Sequence, residues 1–284
     1  MENFEGVYYR INKDNIDLVI IAGANNKDKD RHAFIQVIDR INLVSKYYRF
    51  DISGYIKEEK LFKIEDNTFS KKYIELNLDE YKGKVEFLDQ KKLESSSVMG
   101  PFKNSKIMPC NHYVFFLKAD VKGKVECERE VVDFTGAVAY MEGDIGKLFP
   151  KKYIWIQSNK ESRGEEEKAI TGAFAKIFGK IFFYLIVDIE GKIYRFSTYD
   201  FGKVEKLYKD GDKIHVLLKQ KNIIVSMIVR EGEEKYELKY PNKGIMTDFV
   251  EEMLGGIIEF KMYGDEKLIY NEKFINAAME GKFT

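Results

Sequence analysis

The stretch Tyr73-Ile74-Glu75-Leu76-Asn77-Leu78 alternates aliphatic and polar residues with a period of two, and Lys235-Tyr236-Glu237-Leu238-Lys239-Tyr240 repeats the pattern with aromatics. An extended chain turns successive side chains to opposite faces, so this alternation predicts half-buried β-strands. Working outward, strand-like segments recur at 17–21, 33–38, 47–52, 113–118, 153–157, 181–187, 193–198, 214–218, 223–229 and 257–262. A Gly-Lys step followed by Val or Ile appears at Gly83, Gly123, Gly191 and Gly202. Glycine reaches positive φ at no steric cost, so these steps predict antiparallel hairpin turns. Helical spacing is confined to Ile245, Met246, Phe249, Val250, Met253 and Leu254 before Gly255-Gly256, which predicts one short helix. Many strands without crossover helices remove their edges best by closing. The expected fold class is all-β, built from two antiparallel β-barrels with little helix.

At 284 residues the chain can form two domains of about 140 residues each. Equal division places the boundary near residue 130, with domains over 1–130 and 131–284. Two polar stretches, 89–105 with Ser95-Ser96-Ser97 and 159–168 with Glu165-Glu166-Glu167, read as a long loop or a linker. Lys plus Arg and Asp plus Glu both number 47, so the chain lacks the basic excess that non-specific nucleic-acid binding requires. Cys110 and Cys127 are too few for a disulfide framework, which fits a reducing compartment. The first residues show no basic and apolar leader, and the longest apolar run, 181–187, is far short of a membrane span. The expectation is a cytoplasmic protein without a stable membrane anchor.

The stretch 134–159 is the richest in chemistry-bearing residues. If 138–144 is extended, Val138, Tyr140, Glu142 and Asp144 share one face, with the two carboxylate Cβ atoms about 6.5 Å apart. Such a pair can divide into an acid and a base, or can lie solvated at a strand end. On the next strand Tyr153, Trp155, Gln157 and Asn159 share a face while Ile154 and Ile156 take the other, so both faces look occupied. Aromatics with a few placed polar groups suit a pocket wall. Arg195, Ser197 and Tyr199 form a third candidate face, in which the arginine is either a carboxylate partner or a snorkelling surface residue. Cys110-Asn111-His112 supplies only two ligand-type side chains, and no second pair stands at metal-binding spacing, so no metal is expected. Phosphate-loop, dinucleotide, serine-hydrolase and zinc-protease motifs are absent.

In order along the chain stand Phe4-Glu5-Gly6-Val7-Tyr8, Ala33-Phe34-Ile35-Gln36-Val37, Met99-Gly100-Pro101-Phe102, Cys110-Asn111-His112, Glu142-Gly143-Asp144-Ile145-Gly146-Lys147-Leu148-Phe149-Pro150 and Trp155-Ile156-Gln157-Ser158-Asn159. This series resembles the tocopherol cyclase-like family. Val7, Asn111 and Ile145 stand where that family's pattern carries aromatic residues. The resemblance implies a tandem lipocalin-like β-barrel fold, similar to that of carotenoid hydratases and some Diels–Alder cyclases. It also implies cofactor-free, acid-catalysed closure of a ring on a prenylated quinol or similar ring-plus-tail amphiphile, an isomerase-type reaction. In that reading Glu142 or Asp144 is the acid, Trp155 stabilises the tertiary cation, and His112 takes the phenolic proton. Tyr140, Tyr153, Gln157, Asn159, Arg195 and Tyr199 would line the substrate. The alternative is a non-catalytic carrier of a hydrophobic small molecule. Neither reading fixes an oligomeric state.

Overall fold

The computed structural model describes residues 4–14, 16–103, 108–160, 162, 168–242 and 245–282. The Glu165-Glu166-Glu167 run lies outside them. The chain is nearly all strand. In chain order the first sheet contains β1 (Phe4–Lys13), β2 (Ile16–Asn25), β3 (His32–Asp39), β4 (Val44–Phe50), β5 (Tyr55–Lys57), β6 (Leu61–Ile64), β7 (Asn67–Ser70), β8 (Tyr73–Asn77), β9 (Tyr81–Lys91), β10 (Cys110–Cys127), β11 (Glu130–Asp133) and β12 (Val138–Gly146). The second contains β13 (Tyr153–Ser158), β14 (Ala169–Ile177), β15 (Lys180–Ile189), β16 (Lys192–Ser197), β17 (Lys203–Asp210), β18 (Lys213–Gln220), β19 (Ile223–Arg230), β20 (Glu234–Asn242), β21 (Ile245–Gly264) and β22 (Lys267–Lys282). Both sheets are antiparallel and curl as half-barrels of the lipocalin-like type.

The two sheets follow one plan. The first runs β4-β3-β2-β1-β12-β10-β9-β8-β7-β6-β5, the second β16-β15-β14-β13-β22-β21-β19-β18-β17. In each, a meander of four strands joins the rest through a strand that arrives late in sequence, β12 or β22. The compact units are Met1–Phe149 with Leu238–Phe249, and Pro150–Glu237 with Val250–Thr284. The division therefore falls at Phe149/Pro150 instead of near residue 130, because β12 pairs with both β1 and β10 and completes the first sheet. Within the first unit, Gln36 on β3 receives the returning segment: its Nε2 donates to the Lys239 carbonyl and its Oε1 accepts from the Lys239 N–H, both at 2.8 Å.

Alternation divides each sheet into two buried faces. On the inner face of the first, Tyr9, Ile11, Leu18, Ile20, Ile35, Val37 and Met141 belong to one apolar cluster. On the inner face of the second, Ile154, Ile156, Phe174, Leu185, Val187 and Met279 do the same. Truncating such an aliphatic to alanine typically costs about 2–5 kcal/mol. The opposite faces carry polar groups and are nonetheless buried: Arg10 is 1% exposed, Gln36 3%, Gln157 0% and Thr171 0%.

Three local expectations change. Residues 245–254 form part of β21 and not a helix; the buried residues there include Met246, Val250, Glu252 and Leu254, so the strand period is present. Glu252 inside and Phe249 outside disguise it as a helical stripe. Gly83 and Gly123 lie mid-strand, facing Val125 and Val85 across β9–β10, with φ of 145° and 138°. A Cβ on either would stand 2.1–2.2 Å from a carbonyl oxygen of the neighbouring strand, so these glycines permit close backbone approach and make no turn. Gly191 does turn the β15–β16 hairpin, at φ 79°. Of the 89–105 stretch, 104 and 105 lie outside the described residues; it contributes to β9 as far as Lys91, and further on Ser97 bridges Tyr113 of β10 and the Ser96 carbonyl accepts from Val114 N–H.

Candidate functional site

Antiparallel register places side chains on the outer face of the first sheet. Tyr8 and Arg10 on β1 stand opposite Glu142 and Tyr140 on β12, and His112 on β10 stands opposite Asp144. Directly opposed residues point to the same side, so four polar side chains from β12 and β10 converge. They bond in a chain. Tyr140 OH donates to Glu142 Oε2 at 2.6 Å, His112 Nε2 lies 3.3 Å from that oxygen, and His112 Nδ1 lies 3.0 Å from Asp144 Oδ1. Cys110 Sγ donates to Asp144 Oδ1 at 3.0 Å. The Tyr8 ring meets Tyr140 edge-on with centroids 6.4 Å apart.

Hydrogen-bond capacity fixes the protonation logic. An ionised carboxylate only accepts, and a neutral imidazole has a single N–H, yet both ring nitrogens of His112 face carboxylate oxygens. The arrangement is satisfied by an imidazolium. Burial alone opposes that charge, but Asp144 and then Glu142 outweigh it and hold the His112 pKa well above its ordinary value. Burial, followed by the charge of Asp144, pushes the Cys110 thiol far up as well, so Cys110 serves as a neutral donor and not as a nucleophile. All of Asp144's hydrogen bonds to described residues use Oδ1. Its Oδ2 is thus the cluster's open acceptor, on a side chain 21% exposed against 8% for Glu142 and 13% for His112.

The same three side chains could hold a divalent cation, since one ligand atom from each lies within 4.8 Å of the others. Sequence spacing gave no hint of this. His112 and the carboxylates meet across a strand pair, and a cation there would compete with the imidazolium proton.

The other candidates sit in the second unit. Trp155 stands opposite Ala173 on β14 and Glu280 on β22, and Gln157 opposite Thr171 and Ala278. Tyr153, Trp155, Gln157 and Asn159 are all under 9% exposed, on the face away from the apolar cluster. Tyr153 OH donates to Glu280 Oε1. Asn159 Nδ2 is buried without a hydrogen-bond partner among the described residues. Arg195 lies on β16 opposite Ile186, and its carbonyl accepts from Gln220 Nε2. Tyr199 departs from the expected strand face: it sits in a 3-10 turn, Thr198–Asp200, because Ser197 Oγ accepts from Asp200 N–H and ends β16.

Sequence reading passed over Arg10 and Asp17, a buried ion pair at 2.9 Å on the same outer face as Tyr140, with Arg40 Nη1 3.2 Å from the other oxygen of Asp17. It also passed over Glu252 and Glu280, which face each other across β21–β22. The signal was available in β1, where Tyr8, Arg10 and Asn12 alternate with Tyr9 and Ile11.

Every expected site residue falls within one matched segment. Residues 68–205 match the tocopherol cyclase-like family. No curated protein matches the chain. Among solved structures, a crystal structure assigned to AttH from Nitrosomonas europaea aligns with a TM-score of 0.57 and 11% identity, covering 98% of this chain and 91% of that one. At that identity the likeness is one of fold. That likeness of fold covers both sheets.

Proposed function

We propose that this chain binds an amphiphilic ring-plus-tail molecule of the prenylated-quinol type and closes a ring on it by acid catalysis centred on Asp144, His112 and Glu142. The observation that supports this reading is the single imidazole held between two carboxylates, with one oxygen of Asp144 left to meet a substrate. A shift of the shared proton from His112 Nδ1 to Asp144 Oδ1, followed by rotation of the carboxyl group that turns this O–H to the open side, creates a carboxylic acid facing the substrate without changing the charge of the cluster. Asp144 then protonates the trisubstituted alkene, the phenol oxygen bonds to the tertiary carbon, and the phenolic proton returns to the cluster. The product is an isomer of the substrate, and no electrons are exchanged. His112 acts here as the proton reservoir and not as a free base.

The placement of His112 between two carboxylates also supports a second reading, in which the imidazolium is a fixed part of the site. In that reading the protein is a carrier whose Asp144 accepts a hydrogen bond from the ligand's hydroxyl. Mass spectrometry of organic extracts from the purified protein identifies the class of bound molecule. Incubation with a panel of prenylated quinols, followed by chromatography and a parallel binding assay, separates the readings. Turnover unaffected by a chelator supports the cofactor-free cyclase, and binding without turnover supports the carrier. A panel in which nothing binds refutes both.

A further inference from the structure

Reverse turns in this protein put a non-glycine residue at positive φ many times, and the residue is usually charged: Asp14, Glu65, Glu128, Glu190, Lys221 and Asp265. Three large hydrophobic residues break that rule: Leu43 in the first unit at φ 55°, and Phe178 and Phe201 in the second at φ 50° and 64°. A bulky aromatic is disfavoured in this conformation, where Asn, Asp or Gly is usual. Burial does not compensate, for Phe178 is 76% and Phe201 88% exposed, the two most exposed large hydrophobic side chains among the described residues. Each ring therefore carries both a conformational and a hydration cost in the isolated molecule.

The two rings lie near one end of β15. Phe178 and Gly179 form the β14–β15 tip, with Ile177 opposite Lys180. The β16 exit reaches the same end, since Phe183 N–H donates to Thr198 Oγ1 at 2.9 Å and the Cβ position of Gly202 lies 2.8 Å from the Phe183 ring. Phe183 is only three residues along β15 from Lys180, about 10 Å. Gln220 ties the β18–β19 turn to this end through Arg195 carbonyl and Ser197 N–H.

Exposed lysines surround both tips. Lys152, Lys176 and Lys180 flank Phe178, and Lys203, Lys219 and Lys221 flank Phe201. Lys203 and Lys219 stand directly opposite each other across β17–β18, and Lys176 N–H bonds the Lys152 carbonyl, which sets that pair side by side. Like charges placed opposite each other are unfavourable unless an anion sits over them. Of the acids nearby, Asp200 already accepts from Ser197 Oγ, and Glu205 lies on β17. Separate protruding rings within a basic field fit an interface of anionic headgroups above acyl chains better than a flat protein surface.

We propose that the β14–β15 and β16–β17 turns form a reversible docking surface for an anionic lipid bilayer, with Phe178 and Phe201 entering the headgroup boundary and the six lysines engaging lipid phosphates. The proposal is independent of the carboxylate–imidazole cluster and stands or falls without it. The test is flotation of the full chain with phosphatidylcholine vesicles, with and without phosphatidylglycerol. Wild type is expected to float with the anionic vesicles only and to be released by high salt. Phe178→Ser and Phe201→Ser are each expected to weaken partitioning by about tenfold while leaving the circular-dichroism spectrum unchanged. Both side chains are exposed, so these changes remove no core contact; Phe178→Asn, which suits the turn, is the second variant should a serine variant misfold. Wild type remaining unbound with both vesicle types, or folded variants that bind as tightly as wild type, overturns the proposal.

Discussion

Two glutamates occupy corresponding places in the two sheets and live in different chemistry. Glu142 lies on β12, between β1 and β10, opposite Tyr8; Glu280 lies on β22, between β13 and β21, opposite Trp155. In the first unit the neighbouring strand supplies His112, which binds Glu142 and Asp144 together. In the second it supplies another acid, Glu252, directly opposite Glu280, while Tyr153 OH donates to Glu280. One architecture thus builds an imidazolium bridge on one face and an acid pair beside the single Trp on the other. What distinguishes the first face is a third titrating group, His112, placed between two carboxylate acceptors.

The sharpest way to break this contrast is Asp144→Asn. If the first face is the reactive one, turnover of a prenylated quinol should fall by about 10²–10⁴-fold with binding nearly intact, since the amide keeps the shape. Glu280→Gln should leave turnover within a few-fold of wild type. A reversed outcome, measured by chromatography of the product, would move the chemistry to the second unit.

Next in size is the stability effect of His112→Ala, which leaves two carboxylates facing each other in a buried site. Removing one partner of a buried ionic network typically costs about 3–5 kcal/mol, readable by urea denaturation at neutral pH. The pH dependence follows from the raised pKa of His112. The folded state binds the proton more tightly than the unfolded chain, whose value is near 6.5. The contribution is therefore complete below about pH 6.5 and is lost as pH rises through the folded-state value. Wild type should lose stability across that alkaline window, and His112→Ala should lack this component.

Much of this organisation could be read from alternation, and the exceptions have physical reasons. The Trp155 strand announces two occupied faces because aliphatic and amphipathic residues interleave without a break. The His112 cluster could not be read as a cluster, because β10 and β12 lie about thirty residues apart in sequence and only their register brings His112 opposite Asp144. Position 252 misled in the other direction: a glutamate buried on a strand interior looks like the polar side of a helix. Arg10 stands on the polar side of the β1 alternation, and the charge that lets it be buried is Asp17, 2.9 Å away on β2.

A smaller effect sharpens the same comparison. Glu142→Gln replaces an acceptor shared by Tyr140 and His112 and strips the imidazolium of one counter-charge, so it should destabilise by about 1–3 kcal/mol. In Glu280→Gln the amide oxygen can still accept from Tyr153, and one of the two facing carboxyl groups is replaced by a neutral amide. That variant should stay within about 1 kcal/mol of wild type. Equal costs in parallel denaturation curves would erase the distinction between the two acids.

The least perturbing probe is Trp155 itself, which shares its face with Tyr153 and Gln157 and is 6% exposed. A buried indole should emit to the blue of free tryptophan and resist quenching by iodide. If ligands reach the second unit's face as well as the first, a prenylated phenol should shift or quench that emission, and Asp144→Asn should leave the response unchanged. If the amphiphile is bound wholly by the first unit, turnover or binding should proceed while the Trp155 spectrum stays constant. The two outcomes separate one ligand-bearing face from two, because a single fluorophore on β13 reports on its own surroundings and not on His112.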